Sequence, residues 1–267
     1  MKKKFEGVKG HMKVNYGGTV PISTVDWPGK AAVTIFFRGC PLRCPYCHNH
    51  SYLEEPNLVD LAFVKKEIEK SRPFVSSVVF SGGEPLMQAA IVPLAVFAKE
   101  QGFFVGIHTN GCYPERVGEL LEKKLVDKFF VDLKAPLEDP DFYGKVAGYG
   151  KYKGVQKSPE KIVAAVSETI AKVDSSASGL ELRTTLIKDF IGREADISRI
   201  VAWISKNVQK KDLNYVLQQG QPENGLQESL RERAFLEREE MLRLGALAKN
   251  YLENVRIRTK EAGEEKV

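Results

Sequence analysis

Ala31-Ala32-Val33-Thr34-Ile35-Phe36-Phe37-Arg38-Gly39-Cys40-Pro41-Leu42-Arg43-Cys44-Pro45-Tyr46-Cys47-His48-Asn49 carries a strand and a reactive loop in one run. Its first seven residues are β-branched, aromatic or small and bear no charge, the composition of a strand buried on both faces. Gly39 and Pro41 then end the strand, and three thiols follow at a C-x3-C-x2-C spacing in a turn-rich loop. A strand that is apolar throughout belongs to a parallel sheet covered by helices. Such sheets build their sites at the carboxyl ends of the strands, so the thiols stand where chemistry is expected.

The pattern recurs outward from this stretch. Short apolar runs at 76–80, 103–107, 128–131, 180–187 and 213–218 alternate with stretches at 61–70, 87–100, 114–123, 159–173 and 194–207, whose apolar residues fall at helical spacing. With 31–37 this makes six strand–helix units of an α/β protein. An open or partial β/α barrel and a doubly wound open sheet both satisfy the pattern, because crossovers are right-handed in either and local sequence does not set closure.

Three regions stand outside the repeat. Residues 1–30 have turn chemistry at Gly17-Gly18 and Pro28-Gly29 and read as a hairpin or strap. Residues 137–157, rich in Gly, Pro and Tyr, read as a long functional loop, a flap over the strand ends. Beyond 223 the sequence predicts a charged amphipathic helix at 226–250, an edge strand at 255–259 and a disordered tail at 261–267. The expected organisation is a strap (1–30), a main unit (31–222) and a C-terminal extension (223–267) in one structural domain.

At 267 residues and 43% hydrophobic, the chain can bury one large core. The 40 basic and 35 acidic residues are interspersed, and a net charge of +5 is too mild to argue for a nucleic-acid partner. The basic Lys2–Lys4 lacks the apolar region of a signal peptide. No segment approaches the apolar run of about 20 residues that spans a bilayer, so no membrane partner and a cytoplasmic location are expected. Four cysteines, three of them in one short loop, suit metal-binding thiolates in a reducing compartment better than a disulfide framework.

Soft thiolate ligands suit zinc or an iron–sulfur cluster. A closed zinc knuckle or an electron-transfer cluster normally uses four protein ligands. Only Cys112 stands as a fourth candidate, and nothing in its spacing, just after Thr109-Asn110-Gly111, requires ligation. Three ligands leave one iron open to a substrate. A second motif, Ser81-Gly82-Gly83-Glu84-Pro85, follows the second strand, where paired glycines let backbone approach a ligand closely.

The cysteine spacing, with Tyr46 before the last thiol, resembles the signature of radical S-adenosylmethionine (SAM) enzymes. The resemblance implies a partial, open β/α barrel of about six parallel strands, and a [4Fe–4S] cluster on Cys40, Cys44 and Cys47 as metal and catalytic centre. It implies that the open iron chelates SAM, which is cleaved by one electron to methionine and a hydrogen-abstracting 5′-deoxyadenosyl radical. Gly82, Gly83, Glu84 and Pro85 then match the segment that binds the methionyl amino end.

Thr109-Asn110-Gly111 and Asp132-Leu133-Lys134 are similar to SAM-contacting segments of the activating enzymes of glycyl radical enzymes. The implied SAM contacts are therefore Tyr46, Gly82, Gly83, Glu84, Pro85, Asn110, Asp132 and Lys134. His108 stands where pyruvate formate-lyase activases usually have an Asp that helps hold a monovalent cation, which leaves Asp132 as the better carboxylate candidate. His48 and Asn49 are read as capping or orienting the cysteine loop, with no catalytic step.

Residues 20–30, with Asp26-Trp27-Pro28-Gly29, and Cys47-His48-Asn49 are similar to the activating proteins of anaerobic (class III) ribonucleoside-triphosphate reductases. That implies a class III ribonucleotide reductase as protein substrate and a flavodoxin- or ferredoxin-type electron donor. The competing expectations are a radical SAM enzyme acting on a small molecule such as a modified-nucleoside precursor, a pyruvate formate-lyase-type activase, and an electron-transfer iron–sulfur protein.

Overall fold

The computed structural model describes residues 12–150, 157–232 and 235–267. The parts of the predicted strap, flap and C-terminal helix that fall at 1–11, 151–156 and 233–234 lie outside the described residues. In chain order the elements are β1 (Lys13–Ser23), β2 (Ala32–Phe37), β3 (Leu58–Asp60), α1 (Leu61–Ser71), β4 (Ser77–Gly82), α2 (Ile91–Glu100), β5 (Phe104–Thr109), α3 (Pro114–Glu122), β6 (Lys128–Asp132), α4 (Pro140–Ala147), α5 (Pro159–Asp174), β7 (Gly179–Leu186), α6 (Glu194–Asn207), β8 (Asn214–Gln219), α7 (Glu228–Arg231), α8 (Arg238–Lys249), β9 (Val255–Thr259) and β10 (Gly263–Lys266).

The strands form one sheet in the order β10-β9-β8-β7-β6-β5-β4-β2-β1-β3. From β2 through β9 every neighbour pair in it is parallel. Within this parallel run the order follows the chain with no reversal, whereas a doubly wound sheet reverses at a switch point. The end strands β3 and β10 do not pair with each other, so the sheet is an open barrel. The parallel run includes one strand more than the six expected, because 255–259 pairs with β8 on one side and β10 on the other instead of lying at the edge.

Helices α2, α5 and α8 pack on β5, β7 and on β8 with β9. The concave side is closed at its base by Trp27, in the β1–β2 connection, which meets Phe130 edge to face at 5.7 Å. Gly106 on β5 makes the room for it: a Cβ there would stand 2.9 Å from the indole.

Four expectations are corrected. Gly17-Gly18 is no turn but an irregularity within β1, where the register against β2 shifts; the turn is at Gly29, whose φ is +82°. Residues 137–157 are not all loop, because Asp139 caps α4 by accepting from Phe142 N at 3.0 Å, Pro140 occupies its first turn and Gly148 ends it with φ +82°. The helix expected at 226–250 is two helices, α7 and α8, and α8 begins at Arg238. Residues 261–267 are ordered as β10, turned by Gly263 (φ +71°) and paired with β9. Its acidic residues meet arginines: Glu265 pairs with Arg238 at 2.5 Å, and Glu264 pairs with Arg258 and with Arg256. Among the described residues no helix is long and apolar enough to cross a membrane.

Candidate functional site

The cysteine loop leaves β2 at the carboxyl end of the sheet and is held there by backbone as much as by side chains. Gly39 N donates to Tyr52 O at 2.8 Å, and Gly39 O accepts from Glu84 N at 2.9 Å. Gly83 N donates to Phe37 O at 2.8 Å. The two segments touch so closely that a Cβ on Gly83 would lie 2.1 Å from Gly39 O, and one on Gly82 would lie 2.4 Å from the Phe37 backbone. The paired glycines thus make room for the cysteine loop itself. Asn49 adds a tie, donating to Gly82 O at 3.0 Å, and His48 Nε2 lies 3.0 Å from Gln221 O beyond β8.

Glu84 fastens this loop to the next one. Its Oε1 accepts from Leu86 N at 3.0 Å and Thr109 Oγ1 at 2.8 Å, and Oε2 accepts from Asn110 N at 2.8 Å. Fully buried, its carboxyl is pushed up to about 7 by desolvation, against which these three hydrogen bonds act. Pro85 is buried beside it in a single 3-10 turn. Asn110, fixed in this way, points Nδ2 at Cys40 Sγ at 3.5 Å and accepts from Cys112 N at 3.0 Å.

The three loop thiols are Cys40 and Cys47, partly exposed, and Cys44, buried. Desolvation pushes all three upward, Cys47 to about 11; neighbouring thiols add to this for Cys40 and Cys47. A bound metal reverses that preference by deprotonating its thiols outright. Leu42 N and Asn110 Nδ2 donate to Cys40 Sγ, while the positive charge of Lys134 acts against the desolvation that raises the Cys44 thiol. Donors aimed at sulfur are what thiolate ligands of an iron–sulfur cluster need. Among the described residues no three His, Cys, Asp or Glu side chains converge on a point for a single ion. A four-iron cluster spreads its thiolates over separate irons and does not require such a point.

Cys112 is fully buried, its thiol pushed up to about 12 mainly by desolvation, and its sulfur lies 4.0 Å from Asn110 O. It is packed as a small apolar residue. Asp132 and Lys134, from the end of β6, form an ion pair at 3.1 Å. Tyr46 is buried, 6.3 Å from the Phe190 ring after β7.

Sequence reasoning did not single out the charged cluster inside the barrel. Arg183 on β7 binds Glu181 at 2.7 Å, stacks over Phe130 at 4.3 Å and reaches His108 Nε2 at 3.3 Å; Glu181 also pairs with Lys128 at 2.8 Å. The sign of it was the spacing of Glu181 and Arg183, two apart in an apolar strand and so on one face. His108 lies 3.2 Å from Ser81 Oγ and 2.9 Å from Asp26 O, and burial, with Arg183 beside it, lowers it to about 4, so the ring is neutral.

The radical SAM superfamily model matches residues 34–177, from β2 to just before β7. A Methanocaldococcus jannaschii protein whose name places it among the glycyl-radical enzyme activating enzymes is 34% identical over 93% of this chain and 97% of its own length. The pyruvate formate-lyase 1-activating enzyme of Escherichia coli is 37% identical over 42% of this chain and 48% of its own. Among solved structures, a radical SAM methyltransferase from Sphaerobacter thermophilus superposes with a TM-score of 0.63 at 17% identity, over 87% of this chain and 67% of that one, a likeness of fold alone. With its three-thiol loop at the open end of a chain-ordered parallel barrel, this protein belongs to the radical SAM superfamily, enzymes that use a [4Fe–4S] cluster and S-adenosylmethionine, and to its glycyl-radical enzyme activating branch.

Proposed function

We propose that Cys40, Cys44 and Cys47 hold the cluster, that SAM lies across Tyr46, Gly82, Gly83, Glu84, Pro85, Asn110, Asp132 and Lys134, and that the chain abstracts a hydrogen atom from a backbone glycine of a partner glycyl radical enzyme. The observation that carries this is the set of three thiols in one loop at the carboxyl end of the sheet, with two hydrogen-bond donors on Cys40 Sγ, while Cys112 is packed away. When bound, the cluster and SAM supply the one-electron cleavage and the 5′-deoxyadenosyl group that takes the hydrogen. The protein's part is positional. Glu84 fixes the Asn110 loop against the Gly82-Gly83 turn, Tyr46 and Phe190 shield one side of the cluster loop from water, and the Lys134 ammonium offsets thiolate charge.

The partner favoured by residues 20–30 and Cys47-His48-Asn49 is a class III ribonucleotide reductase, with a flavodoxin- or ferredoxin-type protein as electron source. A pyruvate formate-lyase is the second reading, favoured by the identity to its Escherichia coli activase over nearly half that enzyme. Incubating reduced, cluster-loaded protein and SAM separately with each candidate from the same organism should give a doublet glycyl-radical EPR signal on the reductase. A signal on pyruvate formate-lyase alone moves the assignment to the second reading. No signal on either, with SAM cleavage stimulated by a nucleoside precursor, moves it to a small-molecule enzyme.

A further inference from the structure

Alternation along the parallel strands puts His108, Phe130, Asp132, Glu181 and Arg183 on the inward face of the barrel, since His108 aligns with Phe130, Phe130 with Glu181 and Asp132 with Arg183. Arg183 therefore stands beside Asp132, one of the proposed SAM contacts. Its side chain is 6% exposed. Nε donates to Glu181 Oε1 at 2.7 Å, and Nη1 faces His108 Nε2 at 3.3 Å. Nη2 has no partner, and among the described residues it is the single buried side-chain nitrogen or oxygen of which that is true.

His108 does not satisfy the guanidinium either. Its Nε2 lies 2.9 Å from Asp26 O, which can only accept, so the ring proton sits on Nε2 and Nδ1 is left to accept from Ser81 Oγ at 3.2 Å. An Nε2 that carries a proton offers Arg183 no lone pair. Only the Nε end of the guanidinium is matched, and a buried charged donor left unmatched is costly to the fold. An orphan of this kind beside a binding site is explained by the acceptor of a ligand.

Glu181 already lies against Nε, and Asp132 occupies the adjoining position on β6, so a further carboxylate brought to Nη2 would face two others. A neutral acceptor fits, and the proposed substrate supplies one. The carbonyl carbon of a peptide glycine is bonded, at about 1.5 Å, to the Cα that gives up the hydrogen. Holding the carbonyl oxygen therefore fixes the reacting carbon. Resting on the reading that the chain acts on a glycine of a partner protein, we propose that Arg183 is a substrate-binding residue whose Nη2 donates to the main-chain carbonyl of that glycine, and that His108 keeps the donor free by presenting an N–H instead of an acceptor.

The test is a binding measurement on anaerobically reconstituted full-length protein with SAM and the cluster kept oxidised, so that no SAM is cleaved. The probe is a fluorescein-labelled peptide spanning the glycine of the class III reductase, read by anisotropy, beside the same peptide with a thioamide at the glycine, whose sulfur is a poor acceptor. Arg183→Met should weaken binding of the parent peptide about tenfold, the worth of a hydrogen bond from a charged donor, and Arg183→Lys, which keeps a donor, should weaken it less. The thioamide should weaken binding to wild type by a similar factor and to Arg183→Met by less than about twofold. Wild-type affinity in an Arg183→Met protein with normal iron content overturns the proposal, and so does an equal thioamide penalty in both proteins. If Arg183→Met does not load iron, a wild-type protein that binds the thioamide as tightly as the parent peptide overturns it instead. Failure of the underlying reading would show differently, as a wild-type protein that binds neither this peptide nor the corresponding one from pyruvate formate-lyase.

Discussion

Gly83 illustrates how a motif was legible while its physical reason was not. The Gly-Gly-Glu-Pro run reads from sequence as a place where backbone approaches a ligand, because glycine is the residue of close approach. In the fold that close approach is to Gly39 O of the cysteine loop. The distinction changes what a substitution does. With only 2.1 Å available to a Cβ against rigid backbone, Gly83→Val should displace the cysteine loop and lose iron as well as SAM binding. Iron per chain after reconstitution is the measurement, and full iron content in Gly83→Val would show that the loop tolerates the shift. Glu84 was likewise visible in the motif, but its role of joining two loops through Thr109 and Asn110 depends on residues about 25 positions away, which no local pattern contains.

At the scale of elements, the parallel strands were legible because burial on both faces leaves uncharged runs such as Val78-Val79-Phe80. Helix α4 was missed because residues that end helices also mark loops. Asp139-Pro140 and Gly148 delimit α4, yet beside Tyr149 and Gly150 they give the composition of a flexible flap. The β10 tail was missed because Gly263-Glu264-Glu265-Lys266 looks solvated until Arg238, Arg256 and Arg258 are placed beside it.

Helix α4 buttresses the cluster loop. Arg43 N donates to Ala147 O at 3.1 Å, and a Cβ on Gly148 would meet Arg43 O at 1.9 Å. Gly148→Ala combines a left-handed backbone with that collision, so it should cost about 1–3 kcal/mol for the backbone alone and a further part for the displaced loop. Thermal unfolding should register a loss of several degrees, together with reduced cluster content. An unchanged midpoint and full iron would show that α4 does not support the loop.

Across the whole molecule, the cysteine loop reaches from β2 to the far side of the sheet. Gln227 N donates to Pro45 O at 2.7 Å, and His48 meets Gln221, both beyond β8. The chain-ordered sheet thus carries the loop over its carboxyl edge, with Trp27 plugging the base and the Arg183–Glu181 pair within. Chain order itself was the part that the local pattern left open, since an open barrel and a doubly wound sheet use the same strand–helix units and differ only in which strands meet.

In the proposed function, a hydrogen atom passes from a partner's glycine to the 5′ carbon of the deoxyadenosyl group that SAM supplies at the three-cysteine loop. The most direct measurement is isotopic: reduced protein, SAM and a class III ribonucleotide reductase deuterated at its glycines are incubated anaerobically, and the 5′-deoxyadenosine is analysed by mass spectrometry. The account predicts one deuterium in the product for each glycyl radical formed, and no such product from the Cys40→Ala, Cys44→Ala or Cys47→Ala protein. 5′-Deoxyadenosine formed without deuterium, at the same rate with and without the partner, would contradict it.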